Sequence, residues 1–265
     1  MLYYDRFPIG KIYLCKNLVK MAEDVKPYDG SGSKKDQVSK MFDGIAPYYD
    51  FLNRLLSLGI DVYWRRRAIR LLRPLAPEVI LDVATGTADV ALEAQRQLQP
   101  RKIIGIDIAN EMLDIGRRKI DRRQLSGRIE LQQGDAENLP FPDNTFDAIT
   151  VAFGVRNFEH LEAGLREMRR VLKPGGQLVV LEFSKPRVFP FKQLYNFYFR
   201  NILPAIGRIT SKDPRAYSYL YESVQAFPDR EQFTDILSKT GYKSNQCVPL
   251  TLGVCAIYTG GKPSS

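Results

Sequence analysis

Between Val79 and Phe183 one unit recurs: a short aliphatic run, a turn of small and acidic residues, then apolar positions at helical spacing. Val79-Ile80-Leu81-Asp82-Val83 is the first run, and its lack of apolar–polar alternation marks a strand covered on both faces. The turn Ala84-Thr85-Gly86-Thr87-Ala88-Asp89 leads into a helix carrying Val90, Ala91, Ala94 and Leu98. Further strands are predicted at Ile103–Ile108, near Ile129–Leu131, at Phe146–Phe153 and at Gln177–Phe183, with a helix capped by Asn110 and another over Glu159–Leu172. Lys173-Pro174-Gly175-Gly176 closes the latter, since proline cannot continue a helix and glycine serves the turn back. Beyond a helix over Glu231–Thr240, the runs Lys243–Leu250 and Gly253–Thr259 read as a closing hairpin. Strands alternating with helices dictate an α/β fold, a doubly wound parallel sheet with one antiparallel member from the hairpin.

The chain has 265 residues, 44% of them apolar and 26% charged, which excludes a largely disordered polymer. A chain this long buries roughly 70–75% of its unfolded surface and needs no disulfide or metal to fold. Its longest apolar runs, such as Ala148–Val151 and Leu178–Leu181, fall far short of the ~20 residues of a membrane span. The cysteines, Cys15, Cys247 and Cys255, lack CxxC spacing, and the single histidine, His160, removes His-based metal sites; no metal is expected, and a reducing, cytoplasmic setting is. Residues 1–34 read as a disordered tail, with residues 1–20 either an upstream start ahead of Met21 or a loose end. A single domain spans 35–265, with N-terminal helices over 35–78, an α/β core over 79–184, an aromatic insertion over 185–228, and a closing helix and hairpin over 229–265. The formal net charge is +9, yet residues 79–184 carry 14 basic and 16 acidic side chains. The excess positive charge therefore lies in the flanks, beside the aromatics Phe189–Phe227 and Phe42–Trp64.

In a doubly wound sheet, ligands bind outside the carboxyl ends of the strands, where the strand order reverses. Just past the first strand lie Asp82, Gly86, whose lack of a side chain permits close backbone approach, and Thr87, at a helix N-terminus. Past the second is Asp107, where a carboxylate can accept from both hydroxyls of a ribose. Past the third are Asp135, placed to read an exocyclic amine, and Ala136, whose N–H would face the base. A dinucleotide would need G-x-G-x-x-G and a P-loop G-x-x-x-x-G-K-[ST], and neither is present.

At these residues the sequence resembles the seven-stranded S-adenosylmethionine-dependent methyltransferases: Leu81–Asp89 is similar to their first motif, with Ala84 and Ala88 where G-x-G-T-G-D is commoner. The closer resemblance is to the UbiE/MenG quinone methyltransferases. It rests on Tyr49-Asp50-Phe51-Leu52-Asn53-Arg54-Leu55-Leu56-Ser57-Leu58-Gly59-Ile60-Asp61-Val62-Tyr63-Trp64-Arg65, on Phe153-Gly154-Val155-Arg156-Asn157, on Arg170–Gly176 and on Leu181-Glu182-Phe183-Ser184-Lys185-Pro186, and it covers Lys35 to Thr259. The resemblance implies the class I, Rossmann-like methyltransferase fold, S-adenosyl-L-methionine as cofactor, and C-methylation of a polyprenylated quinol. The product would be menaquinone or, alternatively, a ubiquinone precursor; Ala152, where members serving both pathways often carry Ser, inclines the reading to demethylmenaquinol.

A ring carbon becomes nucleophilic only as a neighbouring hydroxyl loses its proton. Arg156 is the catalytic candidate, either accepting the developing charge or ordering a water that takes the proton. Asn157 and Tyr49 are the candidate ring-binding residues. His160 reads as a solvated first-turn residue. The aromatic insertion is expected to form a channel for the isoprenoid tail, with Lys192, Arg200 and Arg208 facing anionic headgroups at the inner face of a membrane. The basic run Arg117–Arg128 raises a nucleic-acid methyltransferase as the rival class, but the acidic/Asn-Pro-Pro-aromatic motif of base-amine methylases is absent, so no nucleic-acid partner is expected. A homodimer is left open.

Overall fold

The computed structural model describes residues 19–202 and 213–264. Seven strands form one sheet in the order β3-β2-β1-β4-β5-β7-β6. These are β1 (Val79–Val83), β2 (Lys102–Asp107), β3 (Ile129–Gln133), β4 (Phe146–Ala152), β5 (Leu172–Phe183), β6 (Lys243–Leu250) and β7 (Cys255–Gly261). The first five are parallel, and β7 lies antiparallel between β5 and β6. The order reverses between β1 and β4, so both strand ends open onto one crevice.

After a helical stretch over residues 19–24, the helices α1 (Lys34–Leu56) and α2 (Ile60–Arg70) precede the sheet. The core adds α3 (Asp89–Leu98), α4 (Asn110–Arg122) and α5 (Leu161–Val171). Beyond β5 come α6 (Phe191–Phe197), running into a π-helical turn over Tyr198–Ile202, then α7 (Pro214–Ala226) and α8 (Glu231–Lys239). Alternation along β1 assigns the two layers. Leu81 and Val83 pack with Leu165 of α5 and Phe233 of α8, whereas Ile80 packs with Trp64 of α2, Ala91 of α3 and Leu113 of α4.

Two expectations change. Lys173-Pro174-Gly175-Gly176 is not a turn ahead of the fifth strand but part of it, because its backbone is paired: Gly175 N–H donates to Lys262 O at 2.9 Å and Lys262 N–H to Gly176 O at 3.0 Å. A side chain on Gly176 would lie 2.8 Å from Asp147 O, so glycine is what lets this start of β5 lie flat. Nor is the chain an unstructured tail through residue 34. Residues 19–24 are helical, Val19 and Ala22 are buried, and the Lys34 ammonium is fully enclosed, donating to Ala22 O at 2.7 Å and Arg156 O at 3.2 Å. Residues 1–18 lie outside the described residues.

Candidate active site

The turn after β1 is built around Asp82, which is 1% exposed and accepts from the hydroxyls of Thr85 and Thr150, each at 2.6 Å. Burial pushes its carboxyl up to about 6, against those two hydrogen bonds. Ala84, Gly86 and Ala88 all hold left-handed backbone, at φ 52°, 53° and 65°. The two alanines therefore adopt the conformation that glycine supplies in the commoner motif. Each methyl lies against a glycine: a side chain on Gly154 would meet Ala84 Cβ at 2.5 Å, and one on Gly116 would meet Ala88 Cβ at 3.2 Å. In this chain the glycines sit on the surfaces that face the two alanines.

At the end of β2, Asp107 accepts from Gly86 N–H at 2.8 Å on one oxygen and from Ala109 N–H at 2.9 Å on the other, with Ile108 N–H also directed at the carboxylate. A carboxylate oxygen accepts more than one hydrogen bond, so the group can still receive a hydroxyl donor. Burial raises its pKa. Past β3, Asp135 accepts from Glu137 N–H at 2.9 Å and forms an ion pair with Lys35 of α1. Gly86, Asp107, Asp135, Ala136 and Asn157 share one cleft with Ala84, Gly134 and Gly154, whose small side chains leave room for a flat ligand. Asp82 and Thr87 do not line it. Thr87 is 3% exposed, donating to Asp50 at 2.6 Å and accepting from Lys119 at 2.9 Å. These two residues shape the turn from behind. The acceptor capacity left at Asp107 and the small-residue cradle fit an S-adenosyl nucleoside.

Beside the cleft lies a second cavity of about 390 Å³, lined largely by apolar and aromatic side chains from α1, α2, α6, α7 and the β6–β7 turn. Phe42, Tyr49 and Phe153 line both. Phe153 holds a left-handed backbone (φ 58°), uncommon for a bulky residue, and is fixed by its N–H donating to Leu181 O at 2.7 Å. Arg156 lines the larger cavity and is 7% exposed. Its Nη1 donates to Glu182 Oε1 at 2.7 Å and to Phe153 O at 2.5 Å, and its guanidinium lies 5.4 Å from the Phe183 ring centre. Its Nε is buried with no partner among the described residues. Glu182 is fully buried, which raises its pKa against the opposing pull of Arg156. Asn157 accepts from Tyr219 Oη at 3.1 Å.

Glu182 was quoted in the sequence only as part of a motif, although an acid inside Val179–Phe183 is the signal that a cation must face it. A second set of charges carried no such signal: Lys119 of α4 bridges Asp50 (2.6 Å) and Asp89 (2.8 Å), and Arg65 of α2 bridges Asp89 (3.1 Å) and Asp61 (2.5 Å). Part of the basic run that suggested nucleic acid is thus committed internally. His160 is exposed just ahead of α5, and Lys192 and Arg200 are exposed beyond β5; Arg208 lies outside the described residues.

Strand order, a buried acid behind a left-handed turn, and a ribose-type carboxylate past β2 define an α/β enzyme of the S-adenosylmethionine-dependent methyltransferase class. A SAM-dependent methyltransferase of Thermotoga maritima has the same fold, with a TM-score of 0.59 at 18% identity, covering 84% of this chain and 99% of that one. The model of the ubiE/COQ5 methyltransferase family matches residues 30–262, and the chain belongs to that family. The demethylmenaquinone methyltransferase of Bacteroides fragilis is 50% identical over 240 residues, covering 91% of this chain and 98% of the relative. The ubiquinone/menaquinone biosynthesis C-methyltransferase UbiE of Geotalea daltonii is 50% identical over 230 residues, covering 86% and 97%.

Proposed function

We propose that this chain methylates a ring carbon of demethylmenaquinol, giving menaquinol. The observation that carries the reading is the common wall: a nucleoside-type cleft and a large apolar cavity meet at Phe42, Tyr49 and Phe153. When bound, S-adenosylmethionine supplies an electrophilic methyl carbon. Asp107 receives the ribose hydroxyls, Gly86 allows close approach, Asp135 and Ala136 N–H meet the base, and Asp82 and Thr87 hold the turn that frames them.

The ring must approach in line, about 3–3.5 Å from the carbon it attacks. Tyr49 and Asn157 orient it from the wall where the two cavities join. Arg156, its charge balanced by Glu182, presents its guanidinium to the phenolate that forms, or to the water that removes the proton. The remaining cavity, closed by Tyr195, Tyr217 and Tyr219, takes the start of the isoprenoid tail. A substrate with that tail resides in lipid, so Lys192 and Arg200 face an anionic surface, and vesicle binding falls as salt rises.

Quinone profiling of a deletion strain tests the reading: demethylmenaquinone accumulates, and the wild-type gene restores menaquinone. The relative from Geotalea daltonii has both pathways in its name, so accumulation of a demethylated ubiquinone precursor would assign the polyprenyl benzoquinol instead. A normal quinone profile in the deletion strain would sink both.

A further inference from the structure

Two leucines stand where leucine is doubly unfavourable. Leu58, between α1 and α2, is 82% exposed at φ 52°, and Leu252, in the β6–β7 turn, is 59% exposed at φ 57°. Left-handed backbone disfavours any residue with a β-carbon, and an exposed leucine gains nothing from burial to offset that. Both line the apolar cavity, so their exposure marks its mouth, and Phe191 (40%) and Leu194 (60%) of α6 continue the rim.

The turns are braced rather than loose. Gly59 N–H donates to Arg54 O at 2.8 Å, Ile60 N–H to Ser57 O at 3.0 Å and Val254 N–H to Thr251 O at 3.1 Å. Trp64 of α2 donates its indole N–H to Thr251 Oγ1 at 2.8 Å, joining the second turn to the helix that leaves the first. The segments that form the rim carry only basic side chains. Arg54, Lys185 and Arg187 pair with Asp61 (3.6 Å), Asp229 (3.7 Å) and Glu231 (2.9 Å), and Lys192 and Arg200 make no ion pair among the described residues. Phe51–Ile60 contains one arginine and no acid, Val248–Tyr258 no charge at all, and residues 185–202 four basic side chains and no acid.

We propose that the two turns, 57–59 and 251–253, enter the headgroup layer of an anionic bilayer and seat the cavity mouth against the lipid. This rests on the reading of the cavity as the site of a lipid-tailed quinol, and it makes apolar insertion the anchor, with the α6 cations as a long-range attraction. A bilayer is the occupant favoured over a second copy of this chain because the rim is apolar, because its exposed cations Lys192 and Arg200 make no ion pair among the described residues, and because the cavity behind it must be filled from a lipid phase.

The test uses the full chain and vesicles of phosphatidylcholine with or without phosphatidylglycerol. Wild-type protein partitions onto the phosphatidylglycerol vesicles. The Leu58→Gly/Leu252→Gly variant loses about tenfold or more of that partition, while its melting temperature holds or rises, because glycine relieves the backbone. Leu58→Asn/Leu252→Asn, which keeps the left-handed turns and removes only the apolar groups, loses the same amount. Met21→Ser, at an apolar residue 60% exposed but outside the cavity, loses none. The emission of a Leu252→Trp variant moves to shorter wavelength on phosphatidylglycerol vesicles. Wild-type partition in either leucine pair would overturn the proposal, as would a loss of binding that tracks dissociation of a dimer on size exclusion. Methylation of a short-tailed, water-soluble quinol by wild-type protein is measured separately. Its failure would remove the substrate reading and leave the vesicle result standing.

Discussion

Arg156 is held by two acceptors on one nitrogen, Glu182 and the carbonyl of Phe153, so its plane is set before a ligand arrives. Removing a preorganised donor of this kind costs about 10²–10³ in kcat. Arg156→Ala is therefore expected to lower turnover by that factor while calorimetry finds S-adenosylmethionine affinity unchanged; near-normal turnover would remove Arg156 from the chemistry. Asp82 supports a different prediction, in stability. Its folded carboxyl titrates at about 6, above the ordinary 3.8, because burial penalises the charge. A raised carboxyl favours the folded state fully below pH ~4 and loses that contribution as pH climbs through 6. On the order of 3 kcal/mol separates the two limits. The stability of wild type minus that of Asp82→Asn is expected to fall by this amount between pH 4 and 7 in denaturant titrations. A difference that stays flat across that range would mean that Asp82 is not the group titrating.

At the scale of elements, the β1–α3 turn and the β4 loop are fitted to each other through Ala84 and Gly154. A methyl on Gly154 would sit 2.5 Å from Ala84 Cβ, closer than packed carbons tolerate. Gly154→Ala is expected to destabilise by about 1–3 kcal/mol in urea unfolding, and Ala84→Gly in the same chain to restore most of it. Additive effects of the two changes would show that the methyls do not meet. This pairing explains what was legible and what was not. The strands were readable because their aliphatic runs and turn residues are local properties, and so were Gly86, Asp107 and Asp135, each just past its strand. Which glycine faces which alanine, that Glu182 faces Arg156, and that Lys35 faces Asp135 depend on register between elements far apart in sequence. The stretch 25–34, polar and glycine-bearing, reads as a tail because its anchors lie far away in sequence: Tyr28 donates its hydroxyl to Asp213, Arg215 donates to Pro27 O at 2.8 Å, and the enclosed Lys34 ammonium donates to Arg156 O at 3.2 Å.

Over the whole molecule, the uneven charge of the sequence becomes a division of labour. The core that frames the nucleoside cleft has a small excess of acid, and the basic, aromatic flanks surround the apolar cavity that opens beside it. The helices α1 and α2 belong to both, since Lys119 and Arg65 tie Asp50 and Asp61 to Asp89 just behind the turn that carries Gly86. Filling the cleft should therefore stabilise the entire chain and not only its core. At S-adenosylhomocysteine 100 times its dissociation constant, the folded state gains about 2.7 kcal/mol, which for a domain of this size raises Tm by roughly 5–10 °C. Circular dichroism, which follows all helices, and Trp64 fluorescence, which follows α2, are expected to report the same rise. Asp107→Ala, which removes the ribose acceptor, should melt without responding to the same ligand concentration. A ligand-dependent rise in that variant would show that the cleft past β2 is not where the nucleoside binds. A rise confined to circular dichroism would show that the N-terminal helices are not coupled to it.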